Sequence, residues 1–265
     1  MSTVTEAVGR YRARGWCTVP VHRPGPDAGA CSCGRPDCGK PGKHPDTRFW
    51  PAGSADPEHF SGRNLGVKLG PDSADLADVD LDCGEAVAAG PHLLPSTDGA
   101  FGRDGRVTHA LYTVADRAAT FAKLQDPVLA GDRATIVELR WPEWDEGENR
   151  FKNIQTVFPP SLHSGGDTLE WARDGEPATV AGADLGAAVR HVGAAVLLAR
   201  YAKPGERHAL VLLVANLLAR AGWADDRRRV HRRGIRRPQR RGQGRQGRGR
   251  RGRGRSRRRP QAAEG

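Results

Sequence analysis

Aromatic residues are scarce, at 6% of 265 residues, and the chain has one methionine and three tyrosines. A core must therefore be built mainly from Val, Leu, Ile and Ala. Lysine is almost displaced by arginine, which with the low methionine is the codon bias of a GC-rich genome. No apolar run approaches the roughly 20 residues that cross a bilayer, and Met1 to Arg14 lacks an apolar signal core. Both absences predict a chain without membrane contact, in the cytoplasm. The five cysteines are odd in number, and Cys31, Cys33 and Cys38 crowd together, unlike a secreted disulfide framework. A reducing compartment with a metal site fits that usage better.

Acidic residues are missing from one place only. Residues 227–265 hold 18 Arg against a single acid, Glu264, so that segment carries +17, and the chain's net +11 leaves −6 on the first 226 residues. A mildly acidic body joins an extremely basic tail. Residues 227–265 read as a disordered Arg/Gly-rich tail, since such composition cannot bury a core.

The body alternates short strand and helix signals. Residues 5–14 predict a helix with Thr5 as cap and Gly15 as stop, and Cys17–Val21 a strand. Residues 23–50 form a Pro/Gly/Cys loop. Asp56-Pro57 opens a short helix. Leu65–Leu69, Leu76–Leu81, Val107–Val114, Thr135–Leu139, Ile154–Phe158 and Thr168–Trp171 predict strands, and Glu85–Ala89 a helical turn. Leu185–Tyr201 and Glu206–Ala221 are Ala/Leu-rich and helical, so a domain boundary is expected near residue 175. The expected class is α+β: a catalytic domain over 1–175 and a small helical domain over 176–226.

Asp78, Asp80 and Asp82 alternate along a predicted strand, which puts their carboxylates on one face. Three like charges so placed repel one another and become sensible around a divalent cation such as Mg²⁺ or Mn²⁺. A solvated polar strand face is the plainer alternative. Glu138 is a lone carboxylate in the apolar strand TIVEL. Beside the Asp strand it would complete a cluster for two metals about 3.5–4 Å apart. His109 sits mid-strand, where histidine is more often structural. Pro159–Gly166 (PPSLHSGG) offers Ser161, His163 and Gly165 between strands, where backbone N–H groups can meet phosphate. Cys31, Cys33, Cys38 and His44 make a four-ligand set in fourteen residues. Tetrahedral Zn²⁺ takes such a set readily, and four protein ligands mean a structural site. Little else in residues 31–44 would order that loop. Cys17 and Cys83 are expected to be packing residues.

Taken together, GWCTVPV, CSCGRPDCGKPGKHP, NLGVKLG, ADVDLDCGEA, FGR before THALY, VELR, and QTVFPPSLHSGG followed by Leu169-Glu170-Trp171 resemble the bifunctional DNA primase/polymerase (prim-pol) domain of the archaeo-eukaryotic primase superfamily over roughly residues 5–172. The resemblance implies a primase-type fold and template-directed nucleotidyl transfer on a single-stranded DNA template with NTP or dNTP. It implies that an Asp-x-Asp pair, 78/80 or 80/82, and Glu138 hold Mg²⁺ or Mn²⁺, and that His109 contacts the incoming nucleotide. Arg103, Ser161, His163 and Gly165 would help hold the triphosphate or sugar. The zinc loop would lie near the template. A replicative helicase partner follows by family analogy alone, since no GxxxxGK[ST] motif is present.

Two other readings stay open. One is a non-catalytic, zinc-containing nucleic-acid-binding replication accessory. The other is a protein that acts through its Arg/Gly tail. The tail itself has two readings. Helical text breaks abruptly after Asp226, and moving one base forward in GC-rich codons turns VHRRGI into Phe-Ile-Ala-Ala-Val-Ser. This predicts a frameshift near residues 225–229, against a genuine nucleic-acid-binding tail.

Overall fold

The computed structural model describes residues 3–26, 30–202, 205 and 207–220. The expected tail over 227–265 and the suspected frameshift lie outside them. The chain divides into two compact units, Met1–Lys203 and Pro204–Gly265.

Helix α1 (Val4–Ala13) starts on Thr3 rather than Thr5. The Thr3 side chain accepts from the Glu6 N–H while the Glu6 carboxylate accepts from the Thr3 N–H, a reciprocal cap that Thr5 has no glutamate to close. Ala7, Val8 and Tyr11 form its buried stripe. Strands β1 (Thr18–Val21) and β2 (Asn64–Lys68) pair antiparallel. The loop between them carries a short 3₁₀ turn, Pro57–Phe60, capped by Asp56.

The larger sheet holds the sequence's densest apolar alternation. Its strands are β3 (Leu76–Leu81), β4 (Gly99–Arg103), β5 (Arg106–Val114), β6 (Ala122–Gln125) and β7 (Thr135–Arg140), with β11 (Glu170–Asp174) and β12 (Ala178–Val180) at its margins. Between β7 and β11 lie a small hairpin, β8 (Trp144–Asp145) with β9 (Arg150–Phe151), and β10 (Gln155–Phe158). The sheet order is β11-β4-β5-β3-β7-β6, with β12 on β5; β1, β2 and β10 make a separate three-stranded sheet. Helix α2 (Gly84–Leu93) follows β3.

Period-2 alternation gives the large sheet two different faces. Ala77, Val79, Leu81, Tyr112, Val137 and Leu139 face one way and are covered by α2 and by α3 (Gly182–Tyr201). Leu76, Phe101 and Leu111 face the other way, into a second core with α1, β1, β2 and β10 that contains Tyr11, Trp16, Leu65, Val67 and Phe158. Asp78, Asp80, His109 and Glu138 share the parity of this second face. These four candidates therefore lie on the face of the large sheet that meets the smaller one, where Thr156 bonds Asp78.

The class is α+β, as the sequence predicts. The boundary expected near residue 175 is corrected, because residues 176–203 belong to the first unit. β12 adds in parallel to β5, Ala178 opposite Tyr112. Leu185, Val189, Val192 and Val196 then bury the helical stripe of α3 in the core of the sheet. An Ala/Leu-rich texture marks this helix as core, not as a new domain. By length and composition alone α3 would also pass as a membrane span. The second unit contains α4 (Arg207–Arg220), close to the expected 206–221.

One buried hydroxyl ties these layers together. Tyr11 Oη donates to the Pro159 carbonyl at 2.6 Å and accepts from Trp171 Nε1–H at 2.9 Å. Tyr11→Phe strands both partners in a buried site, which is expected to cost about 1–3 kcal/mol in denaturant unfolding.

Candidate metal centre and active site

The register of the large sheet lines up the candidates from five strands. Asp80 on β3 stands opposite His109 on β5 and Glu138 on β7. Phe101 on β4 lies beyond His109, and Lys123 on β6 beyond Glu138. Gly102 permits a bulge between β4 and β5 here, because a Cβ on it would stand 1.8 Å from the Arg106 carbonyl oxygen.

Among the described residues, Asp80, Asp82 and Glu138 offer carboxylate oxygens within 4.8 Å of one another and could share a metal ion. Asp82 lies one residue past the end of β3, where its N–H still bonds to the Ile136 carbonyl at 3.0 Å. Asp78 lies outside this group. It is fully buried, its Oδ2 accepts from Thr156 Oγ1 at 2.7 Å, and it meets His109 Nδ1 at 3.1 Å. Of the two Asp-x-Asp choices, 80/82 joins Glu138, and Asp78 orients His109. Phe101 stacks on the face of that ring at 4.4 Å and 15°. His109 Nε2 is then 3.7 Å from Asp80 Oδ1.

The charges follow from this crowding. Burial opposes ionisation of Asp78, yet the His109 charge and hydrogen bond hold its carboxyl below the usual range, helped by Arg140 and Thr156. Burial pushes Asp80 up, and the Asp78 and Glu138 charges add to it against His109 and Arg140. Asp82 has an exposed edge, but partial burial and then the Asp80 and Glu138 carboxylates push it up to about 7. Burial would lower His109, but the Asp80 and Asp78 carboxylates raise it to about 9.

Asp80 and Asp82 resist ionisation, and a cation beside them would relieve that. The pH dependence of the cluster follows. Asp82 has a raised folded-state pKa, so its contribution to stability is present below about 4 and is lost as pH rises through about 7. His109 contributes below about 6.5 and loses that contribution as pH rises through about 9. Without divalent ions the protein is expected to melt at lower temperature at pH 8.5 than at pH 5.5. Adding Mg²⁺ or Mn²⁺ should raise the melting temperature more at pH 8.5, because the ion replaces protons. Calorimetric scans at the two pH values, with and without the ion, measure both trends.

Three neighbours were not picked out from sequence. Arg140 Nη1 lies 3.7 Å from Asp80 Oδ2, and Arg140 Nη2 donates to the Gln155 carbonyl at 2.7 Å. Lys123 Nζ pairs with Glu138 at 2.8 Å. Thr156 arrives from the other sheet. Arg140 alone carried a signal, since it follows Glu138 by two residues and so shares its face.

The phosphate candidates divide. Ser161 is fully buried, and its Oγ accepts from the Leu65 N–H at 2.8 Å and donates to the Leu65 carbonyl at 3.2 Å. Its hydroxyl is taken up in fixing the loop, which corrects the nucleotide-binding role expected for it. Gly165 N–H donates to His163 Nδ1 at 3.1 Å, so this amide too is engaged. Arg103 reaches toward Asp167, 3.5 Å away, beside that loop.

Cys31, Cys33, Cys38 and His44 converge with donor atoms all within 4.8 Å. His44 Nε2 lies 3.4 Å from both Cys31 Sγ and Cys38 Sγ. Ideal tetrahedral zinc geometry sets sulfur and nitrogen about 3.5 Å apart, so the set could hold zinc. Burial works against the Cys31 thiolate, but the Cys33 and Gly42 amides and the His44 ring lower the thiol to about 6. His22 stacks on His44 at 4.6 Å. Cys17 and Cys83 lie apart and partly buried, with Sγ toward the Ala52 and Ile136 carbonyls.

Comparison with protein-family models, curated proteins and solved structures returns no match.

Proposed function

We propose that this chain carries out template-directed nucleotidyl transfer as a DNA primase/polymerase of the prim-pol kind. The observation that carries the reading is the cross-strand row His109, Asp80, Glu138, with Asp82 completing a carboxylate group open at one edge. Two carboxylates directly opposite one another, Asp80 and Glu138, weaken a sheet, and a polymerising site supplies the reason to keep them.

Divalent ions, Mg²⁺ or Mn²⁺, supply activation of the primer 3′-hydroxyl and neutralise charge on the departing pyrophosphate. Asp80, Asp82 and Glu138 would hold them. Asp78 and Thr156 fix the His109 ring, whose charged form then faces the triphosphate. Arg103, beside the 159–166 loop, would take the outer phosphates. Zinc on Cys31, Cys33, Cys38 and His44 would be structural, because four protein ligands leave no open position. The partners are a single-stranded DNA template and NTP or dNTP, with a replicative helicase by analogy only.

A non-catalytic zinc-containing nucleic-acid-binding accessory is the second reading. The Lys123–Glu138 pair at 2.8 Å favours it, since that pair already neutralises part of the cluster. Primer synthesis on a bare single-stranded template, with each nucleotide pool and each metal, separates the two. The enzyme makes metal-dependent products; the accessory binds template and makes none.

A further inference from the structure

The cysteine loop is fastened to the 159–166 loop. Asn64, buried on β2, stands between them: its Nδ2 donates to the Gly42 carbonyl at 3.2 Å and to the Leu162 carbonyl at 2.7 Å, and its Oδ1 accepts from the Leu162 N–H at 3.0 Å. Gln155 Nε2 on β10 donates to the Lys43 carbonyl at 2.9 Å. Gly42 has φ +77°, and a Cβ there would stand 2.8 Å from Pro24 Cδ, so only glycine fits that position.

Lys43 is therefore held on both sides. The preceding carbonyl is bound by Asn64, its own by Gln155, and the next residue, His44, is one of the four metal-binding candidates. Yet its side chain is exposed, and among the described residues its ammonium pairs with no carboxylate. The tethers that seat His44 also hold the base of the Lys43 side chain in one place.

Arg103 flanks the same loop from β4. A Cβ on Gly165 would lie 3.8 Å from Arg103 Nη1. His163 feels both cations: burial, then the Arg103 and Lys43 charges, push its imidazole down to about 4. The histidine is thus neutral at physiological pH, and the positive charge here belongs to Lys43 and Arg103. His109 also acts on His163, which links this group to the carboxylate row.

We propose that the cysteine loop is one wall of the triphosphate site and that Lys43 binds the outer phosphates of an incoming nucleotide opposite Arg103. This rests on the nucleotidyl-transfer reading and departs from the expectation that the loop lies near the template. A lysine and an arginine flanking one loop, the arginine sharing its charge with Asp167 at 3.5 Å, suit a polyphosphate carrying several charges better than a monophosphate.

Titration calorimetry of the full zinc-loaded chain with dATP and with dAMP, in Ca²⁺ to prevent turnover, tests it. Lys43→Ala is expected to weaken dATP binding about 10-fold, the scale of one charge-assisted hydrogen bond, and to leave dAMP binding and zinc content unchanged. Lys43→Arg should recover most of the dATP affinity. Equal dATP affinity for wild type and Lys43→Ala overturns the proposal alone. Loss of zinc in Lys43→Ala also overturns it, because the side chain would then serve the loop. No dATP binding by the wild type removes the nucleotidyl-transfer reading together with the proposal.

Discussion

Asp80→Asn is expected to lower primer extension by on the order of 10³-fold, the scale on which a main electrostatic stabiliser of a transition state acts. Asp80 is the one residue opposite both His109 and Glu138, so it joins the histidine to the carboxylate group. The same substitution should make the metal-free protein more heat-stable. Burial and two neighbouring carboxylates push Asp80 toward its neutral form, and asparagine is neutral at every pH. For a domain of this size each kcal/mol of relieved repulsion raises the melting temperature by about 2–4 °C. Lost activity with raised stability is the signature of a charge kept for function. Lost activity with lowered stability would mean that Asp80 serves the fold.

Cys33→Ser is expected to release the metal and disorder residues 31–44. Purified wild-type protein should carry one zinc per chain by elemental analysis, and the variant none. Residues 31–44 hold no helix or regular strand, and none of their side chains belongs to either apolar core. Four metal bonds would therefore be the main source of order within the loop, as in small zinc modules that unfold without metal. The large sheet should survive, since its core lies elsewhere. Proteolysis should cut the variant within 31–44 and leave the wild type intact there. An intact, protease-resistant loop in metal-free wild type would refute the zinc assignment.

The legible parts of this fold were those where local pattern and tertiary role agree. Leu76–Leu81 alternates clearly, and its limits were read without error. Strand β4, GAFGR, was missed because glycine and alanine are poor strand formers; it forms because small residues let Phe101 and the bulge at Gly102 pack closely. Strand β6 is a short, polar edge with no period to read. Helix α2 runs past the expected Ala89 to Leu93, across Pro91, which forgoes one backbone bond while Gly90 packs against Leu81.

The candidate site was legible by residue type and less so by role. Parity placed Asp78, Asp80 and Asp82 on one side. It gave no means to divide them, because the division comes from Thr156, on a different sheet and 78 positions later in the chain. Ser161 looked like a phosphate donor from its loop, but its environment is set by β2, a strand 96 positions earlier. Which side chain a distant strand covers is a tertiary fact, and no local pattern encodes it.

The most direct test of the central claim is addition of labelled nucleotide to the 3′ end of a primed single-stranded template by the zinc-loaded protein in Mn²⁺. Template-complementary addition with release of pyrophosphate, abolished by a chelator and nearly abolished in Glu138→Gln, is the predicted result. Folded, zinc-loaded protein that adds neither ribo- nor deoxynucleotides in Mn²⁺ or Mg²⁺ would contradict it.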